Sequence, residues 1–209
     1  KKYSKLIWLA IAIAAFNQLS GINAVLYYAP HIFQMAGAGV KGALLQSVII
    51  GGTNLLFTML ALLVIDMFGR RKLMLVGSVG YIISLGTLAA TFFKYGTNFT
   101  DSSALIVLGS LVLFIASHAF GQGAVIWVFI SEIFPNSVRA KGLALGSFTH
   151  WIMAAIISWT FPIIAGISGG VIFTVYALCM AGQLFWVLFI MPEKKGIPLE
   201  QMNKKLGIE

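Results

Sequence analysis

An all-α membrane protein with six transmembrane helices is predicted by three features of this 209-residue chain. Hydrophobic residues make up 59% and charged residues only 10%, against about 25% charged in ordinary soluble domains. The apolar residues come in runs of bilayer length, about 20 residues or more. Short polar breaks separate the runs and hold the charges, as expected of loops outside a bilayer. Transmembrane strands need only about 9–11 residues, and backbone groups in lipid must be bonded within the segment, so runs this long are helices.

The spans are expected at 6–34, 43–65, 73–93, 103–133, 141–165 and 170–191, between a lead-in at 1–5 and a tail at 192–209. The first contains Gly21 and Pro30, the fourth Gly121 and Gly123, and the fifth Pro162. Such residues break a helix where the freed backbone faces protein or a water-filled cavity, although membrane helices are also generally richer in glycine and proline. Gly142 and Gly146, and again Gly166 and Gly170, are spaced for close helix packing. Asn98-Phe99-Thr100, in the main outer loop, matches the N-glycosylation triplet, which is common by chance.

Six spans put both ends on one side. Lys1, Lys2, Lys5, Arg70, Arg71, Lys72, Arg139, Lys141, Lys194, Lys195, Lys204 and Lys205 fall on that side, with only Lys41 and Lys94 opposite. The positive-inside rule then makes both termini cytoplasmic. Lys1, Lys2 and Lys5 lead into a long apolar helix with no small-residue cleavage pattern, so no cleavable signal peptide is expected.

Several function classes are disfavoured. The formal charge of +8 is spread over the breaks instead of sharing a face, which argues against nucleic acid. His31, His118 and His150 have no metal-ligand spacing, and the lone Cys179 is expected to pack, so no metal or cofactor is expected. Asp66 and Glu132 lie at span ends, leaving no nucleophile–base or paired-carboxylate site for an enzyme.

Polar side chains inside the hydrocarbon region are costly and therefore informative. The first span holds Asn17, Gln18, Ser20, Asn23, Tyr27 and Tyr28. At 100° per residue Asn17, Ser20, Tyr27 and Tyr28 fall broadly on one side, and a break at Gly21 would turn Gln18 and Asn23 towards it. Asn54, Trp127, Thr149, His150 and Trp151 add to the set. Amides that donate and accept, with flat indoles, suit a sugar with hydroxyls and an apolar C–H face. Interhelical hydrogen bonds, on the order of 0.6 kcal/mol each, are the alternative use of the same side chains. A carrier must also release its cargo: millimolar binding needs about 4 kcal/mol, within reach of a few neutral hydrogen bonds at about 1 kcal/mol each.

Four motifs carry a resemblance. Asn17-Gln18-Leu19-Ser20-Gly21-Ile22-Asn23-Ala24-Val25-Leu26-Tyr27-Tyr28 resembles the seventh-helix signature of the sugar porter family. Asp66-Met67-Phe68-Gly69-Arg70-Arg71 resembles its loop motif between helices eight and nine, and Ser131-Glu132-Ile133-Phe134-Pro135 with Arg139 resembles the end of helix ten. Pro192-Glu193-Lys194-Lys195-Gly196 resembles the closing motif, with Lys194 in place of the usual Thr. The resemblance implies the C-terminal half of a major facilitator fold built from 3+3 inverted repeats, lying in a bacterial inner membrane and partnered by a missing N-terminal six-helix half. It implies sugar contacts from Gln18, Asn23, Asn54, Trp127 and Trp151, and an extracellular gate at Tyr27 and Tyr28. Asp66, Arg70, Arg71, Glu132 and Arg139 would form a cytoplasmic charge network that latches the two halves.

The chain departs from the family pattern at Asn17, one methylene shorter than the usual Gln, and at His150, where relatives often have Asn or Gln. Both are kept as candidate sugar contacts, as is Gln122 in a stretch lacking the prolines of some relatives. The expected function is alternating-access transport of a hexose or pentose. A transporter-like sugar sensor is the alternative. Protons are a possible second substrate, with His118 and His150 as the candidate titratable groups inside the spans.

Overall fold

The computed structural model describes residues 3–96 and 98–193. Lys1 and Lys2 of the lead-in, and the tail from Lys194 onward with Lys195, Lys204 and Lys205, lie outside the described residues. The elements are α1 (Ser4–Leu19), α2 (Ile22–Met35), α3 (Val40–Phe68), α4 (Arg70–Tyr95), α5 (Asp101–His118), a π-turn at Ala119–Gly123, α6 (Ala124–Ile133), α7 (Arg139–Ile167) and α8 (Gly169–Phe189). They form six bilayer-length spans, Ser4–Met35, Val40–Phe68, Arg70–Tyr95, Asp101–Ile133, Arg139–Ile167 and Gly169–Phe189, close to those expected.

Two spans are broken, and they stand first in each successive group of three. In the first, Gly21 adopts φ +84° between α1 and α2, where a side chain would be strained. A β-carbon at Gly21 would also strike the ring of Tyr176. In the fourth, the π-turn separates α5 from α6. Breaks at matching positions in two triplets are expected of an inverted repeat with its substrate site at the interruptions. The third spans of the two triplets, α4 and α8, pack extensively on each other.

The break expected at Pro162 does not occur, because α7 runs through it from Arg139 to Ile167. Proline removes the N–H that would bond the carbonyl four residues back, here that of Ser158. The hydroxyl of Tyr28 donates to that carbonyl instead, at 3.1 Å. Tyr28 is itself where α2 departs from helical geometry (φ −107°, ψ 16°), two residues before Pro30.

Other boundaries follow from local chemistry. Thr100 caps α5: its hydroxyl accepts from the Ser103 N–H at 3.3 Å, and the Ser103 hydroxyl accepts from the Thr100 N–H at 2.8 Å. Phe99 packs edge-on against Phe92 at 5.2 Å, so two members of the Asn98-Phe99-Thr100 triplet have structural work. α6 stops at Ile133 because Phe134 precedes Pro135 and takes an extended conformation. Gly142 lies under the Phe134 ring and Gly170 against Phe93, as small packing residues do; Gly166 faces open space, contrary to expectation.

The buried apolar residues divide into two clusters, one at each end of the bundle. Every span crosses from one to the other, and at each crossover sits a polar side chain: Asn17 and Gln18, Asn54, Ser78, His118 and Gln122, His150, and Gln183. The bundle therefore has a polar layer at mid-height. Unpaired polar groups are costly there, so this layer must bond internally or face a wet cavity.

Candidate functional site

Part of the layer opens into a cavity of about 190 Å³. The break at Gly21 brings Asn17 and Gln18 from the end of α1 together with Asn23 from the start of α2. Asn54 from α3, Trp127 from α6 and His150 from α7 complete the set of expected contacts on its wall. The Gln18 amide is the hub. It donates to the Asn17 carbonyl at 3.0 Å and lies 3.2 Å from Nε2 and 3.3 Å from Nδ1 of His150. Its Oε1 is buried with no hydrogen-bond partner among the described residues. Trp127, 38% exposed, leans on the His150 ring at 5.2 Å. Two of the departures from the family pattern, Asn17 and His150, thus both touch Gln18.

Several expected residues are placed elsewhere. Trp151 does not line the cavity; it is 60% exposed and meets His150 edge-on at 5.2 Å. Adjacent helical residues diverge by 100°, and His150 takes the inward position. Gln122 is fully buried but faces the other way, donating to the Gln183 carbonyl, while Gln183 donates to Ser78 at 2.8 Å. The wider π-turn rotates it towards α4 and α8, where it ties spans together. Ser20 is turned back on the chain, donating to the Asn17 backbone carbonyl at 2.6 Å. Tyr27 is 60% exposed, and Tyr28 stacks on Phe161 at 5.2 Å besides holding the Ser158 carbonyl; neither lines the cavity.

A larger depression of about 520 Å³ lies along α4 and α5. Thr87 and Thr91 in its wall already donate to backbone carbonyls of Ile83 and Thr87.

At the charged end, Arg70 bridges two carboxylates, Asp66 at 2.9 Å and Glu132 at 2.6 Å, joining α3, α4 and α6. Only Gly69 separates α3 from α4, which keeps Asp66 and Arg70 within reach. The Glu193 carboxylate lies against Gly69, 3.1 Å from where a β-carbon would sit. Arg71, expected among the acids, instead donates to the carbonyls of Val187, at 3.0 Å, and Leu188. Those carbonyls belong to the last turn of α8, which lacks helical partners for them. Arg139 begins α7, and its Nε has no hydrogen-bond partner among the described residues.

The family model described as "Sugar (and other) transporter" matches residues 1–206. The chain belongs to the sugar transporter family. It is 37% identical over 204 residues to the D-xylose-proton symporter of Escherichia coli (strain K12), covering 93% of this chain and 40% of that protein. It is 35% identical to the glucose facilitated diffusion protein of Zymomonas mobilis, covering 95% and 42% respectively. Among solved structures, XylE bound to 6-bromo-6-deoxy-D-glucose, described as a proton:xylose symporter of the major facilitator superfamily, superposes with a TM-score of 0.83 at 34% identity, covering 95% of this chain and 42% of that one. The inward-open XylE of E. coli gives 0.82 at 32% identity, covering 96% and 41%. The fold is thus all-α and of the major facilitator type, and the chain spans about two-fifths of the length of these relatives.

Five residues on the cavity wall were not among the expected contacts: the apolar Ile22, Leu26 and Ile126, and His118 and Gly123. His118 ends α5 and lines the wall beside Gly123 of the π-turn. An ionisable residue within a span marks a functional site by default, which is the available signal for His118; Gly123 is one of the two glycines expected to break the fourth span.

Proposed function

We propose that this chain is the C-terminal half of a monosaccharide carrier, with 6–191 as its membrane bundle and 192–209 as its tail. The carrier moves a hexose or pentose by alternating access. The supporting observation is the convergence of Asn17, Gln18, Asn23, Asn54, Trp127 and His150, from five of the helices, on one cavity at mid-height. Amide donors and acceptors beside an indole match the hydroxyl and C–H faces of a pyranose.

The cavity is smaller than the 300–1,000 Å³ usual for small-molecule sites, which fits half of a site closed by a second six-helix bundle. The relatives' greater length and their printed functions, xylose–proton symport and glucose facilitated diffusion, support the same reading. The carrier lies in a bacterial inner membrane with both ends of this chain cytoplasmic. Arg70, with Asp66 and Glu132, forms a latch at the cytoplasmic end. The Asp66 side chain is exposed, and an exposed ion pair is worth only about 0–1 kcal/mol; the Glu132 partner is part-buried, and together they bias the switch between states.

Uptake into proteoliposomes tests the proposal. The complete carrier is expected to take up labelled xylose or glucose saturably, with competition by other monosaccharides, and this chain alone to give no flux. A simultaneous record of external pH separates symport from facilitation. No uptake of any monosaccharide by the complete carrier, or robust uptake by this chain alone, would contradict it.

A further inference from the structure

We infer that His118 is a further sugar contact, presented to the cavity by Tyr81 and selective for one hydroxyl of the cargo; this rests on the carrier reading above. His118 is the last residue of α5, and the π-turn that follows brings Gly123 back against it. Its Nδ1 is bonded to the hydroxyl of Tyr81 at 2.5 Å. Tyr81 is fully buried and is held in turn by Phe114 at 5.3 Å. The imidazole is thereby fixed in orientation by α4 and α5, the kind of support that a precise contact needs.

The opposite edge of the ring is open. A β-carbon at Gly123 would lie 3.3 Å from both Cδ2 and Nε2 of His118, so the missing side chain there leaves the Nε2 edge uncovered on the cavity wall. No hydrogen bond to Nε2 forms among the described residues. A histidine serving only the core would have both nitrogens engaged, since a secluded polar atom without a partner is costly. A sugar hydroxyl both donates and accepts, so it satisfies Nε2 in either tautomer.

The contact is tested by binding to the purified complete carrier. The probes are its best monosaccharide and a panel of monodeoxy analogues. The wild type is expected to bind at least one analogue about fivefold more weakly, the worth of one neutral hydrogen bond. His118→Asn keeps a polar atom near the Nδ1 position for Tyr81 but removes the cavity-facing nitrogen. It should weaken the parent sugar about fivefold and reduce that analogue's penalty to within about twofold. Tyr81→Phe keeps Nε2 but frees the ring, and should shrink the penalty without abolishing it; it also serves if His118→Asn does not fold. A wild type that binds sugar, with the same analogue profile in every variant that folds, overturns this inference alone. A wild type that binds no monosaccharide overturns the carrier reading and this inference with it.

Discussion

Gln18→Ala in the complete carrier is expected to weaken sugar binding by about 10- to 100-fold while leaving the fold intact, as read by equilibrium binding with a parallel thermal melt. Two losses combine. The side chain's Oε1 is a buried acceptor with no partner among the described residues, and it borders the cavity, so a sugar hydroxyl is its natural donor. Its amide also supports two other wall residues, donating to Asn17 and sitting against His150. Leaving buried polar groups without partners costs about 1–3 kcal/mol, which corresponds to the range given. Asn54→Ala, on a different helix with no such hub role, should cost about fivefold, the worth of a single contact. Equal small losses at both positions would argue that Gln18 is only an interhelical bond.

Gly77→Leu is expected to lower the melting temperature in detergent by about 4–10 °C, with Gly86→Leu as the matched control that changes little. Both glycines are on α4. A β-carbon at Gly77 would stand 3.0 Å from the Ser117 carbonyl and 3.1 Å from the Gly121 Cα, and one at Gly121 would stand 3.0 Å from the Gly77 Cα. Those neighbours are backbone, which cannot rotate aside as a side chain can. Gly86 faces open space, with nothing within 4 Å. The crossing at Gly77 and Gly121 seats the π-turn against α4, so the same substitution should also disturb His118 and Trp127 and reduce sugar affinity. A melt indistinguishable between the two variants would refute the close approach.

The sequence made the spans and most of the cavity legible because both rest on strong local signals. Bilayer-length apolar runs define the helices, and amides inside such runs mark the places where a wet surface is needed. Gly21 was readable as a break because its backbone conformation is one that other residues avoid. Pro162 was misleading, since its missing N–H is compensated by the Tyr28 hydroxyl from another helix, a tertiary partner invisible to local reading. Gln122 faces α4 and α8 for a related reason: Gly121 and Gly123 signal a break in the fourth span, but not that the break is a π-turn that changes the register. His150 and Trp151 differ only in which neighbour faces inward, a choice made by the packing of α7 against α1. The Gly77 and Gly121 crossing carries no recognisable spacing within either helix until the two are brought together. The tie between Arg71 and the end of α8 was likewise hidden, because it depends on which side of Gly69 the chain turns.

The convergence of polar side chains on one wet cavity is tested most directly by sugar protection of introduced thiols. In a cysteine-free version of the complete carrier, Asn23→Cys and Trp127→Cys should react with a small water-soluble maleimide. Saturating monosaccharide should slow both reactions about tenfold or more, while Leu63→Cys, on the exposed outer face of α3, should be indifferent to sugar. Thiols at 23 and 127 that never react, or that react equally with and without every sugar of the panel, would contradict the account.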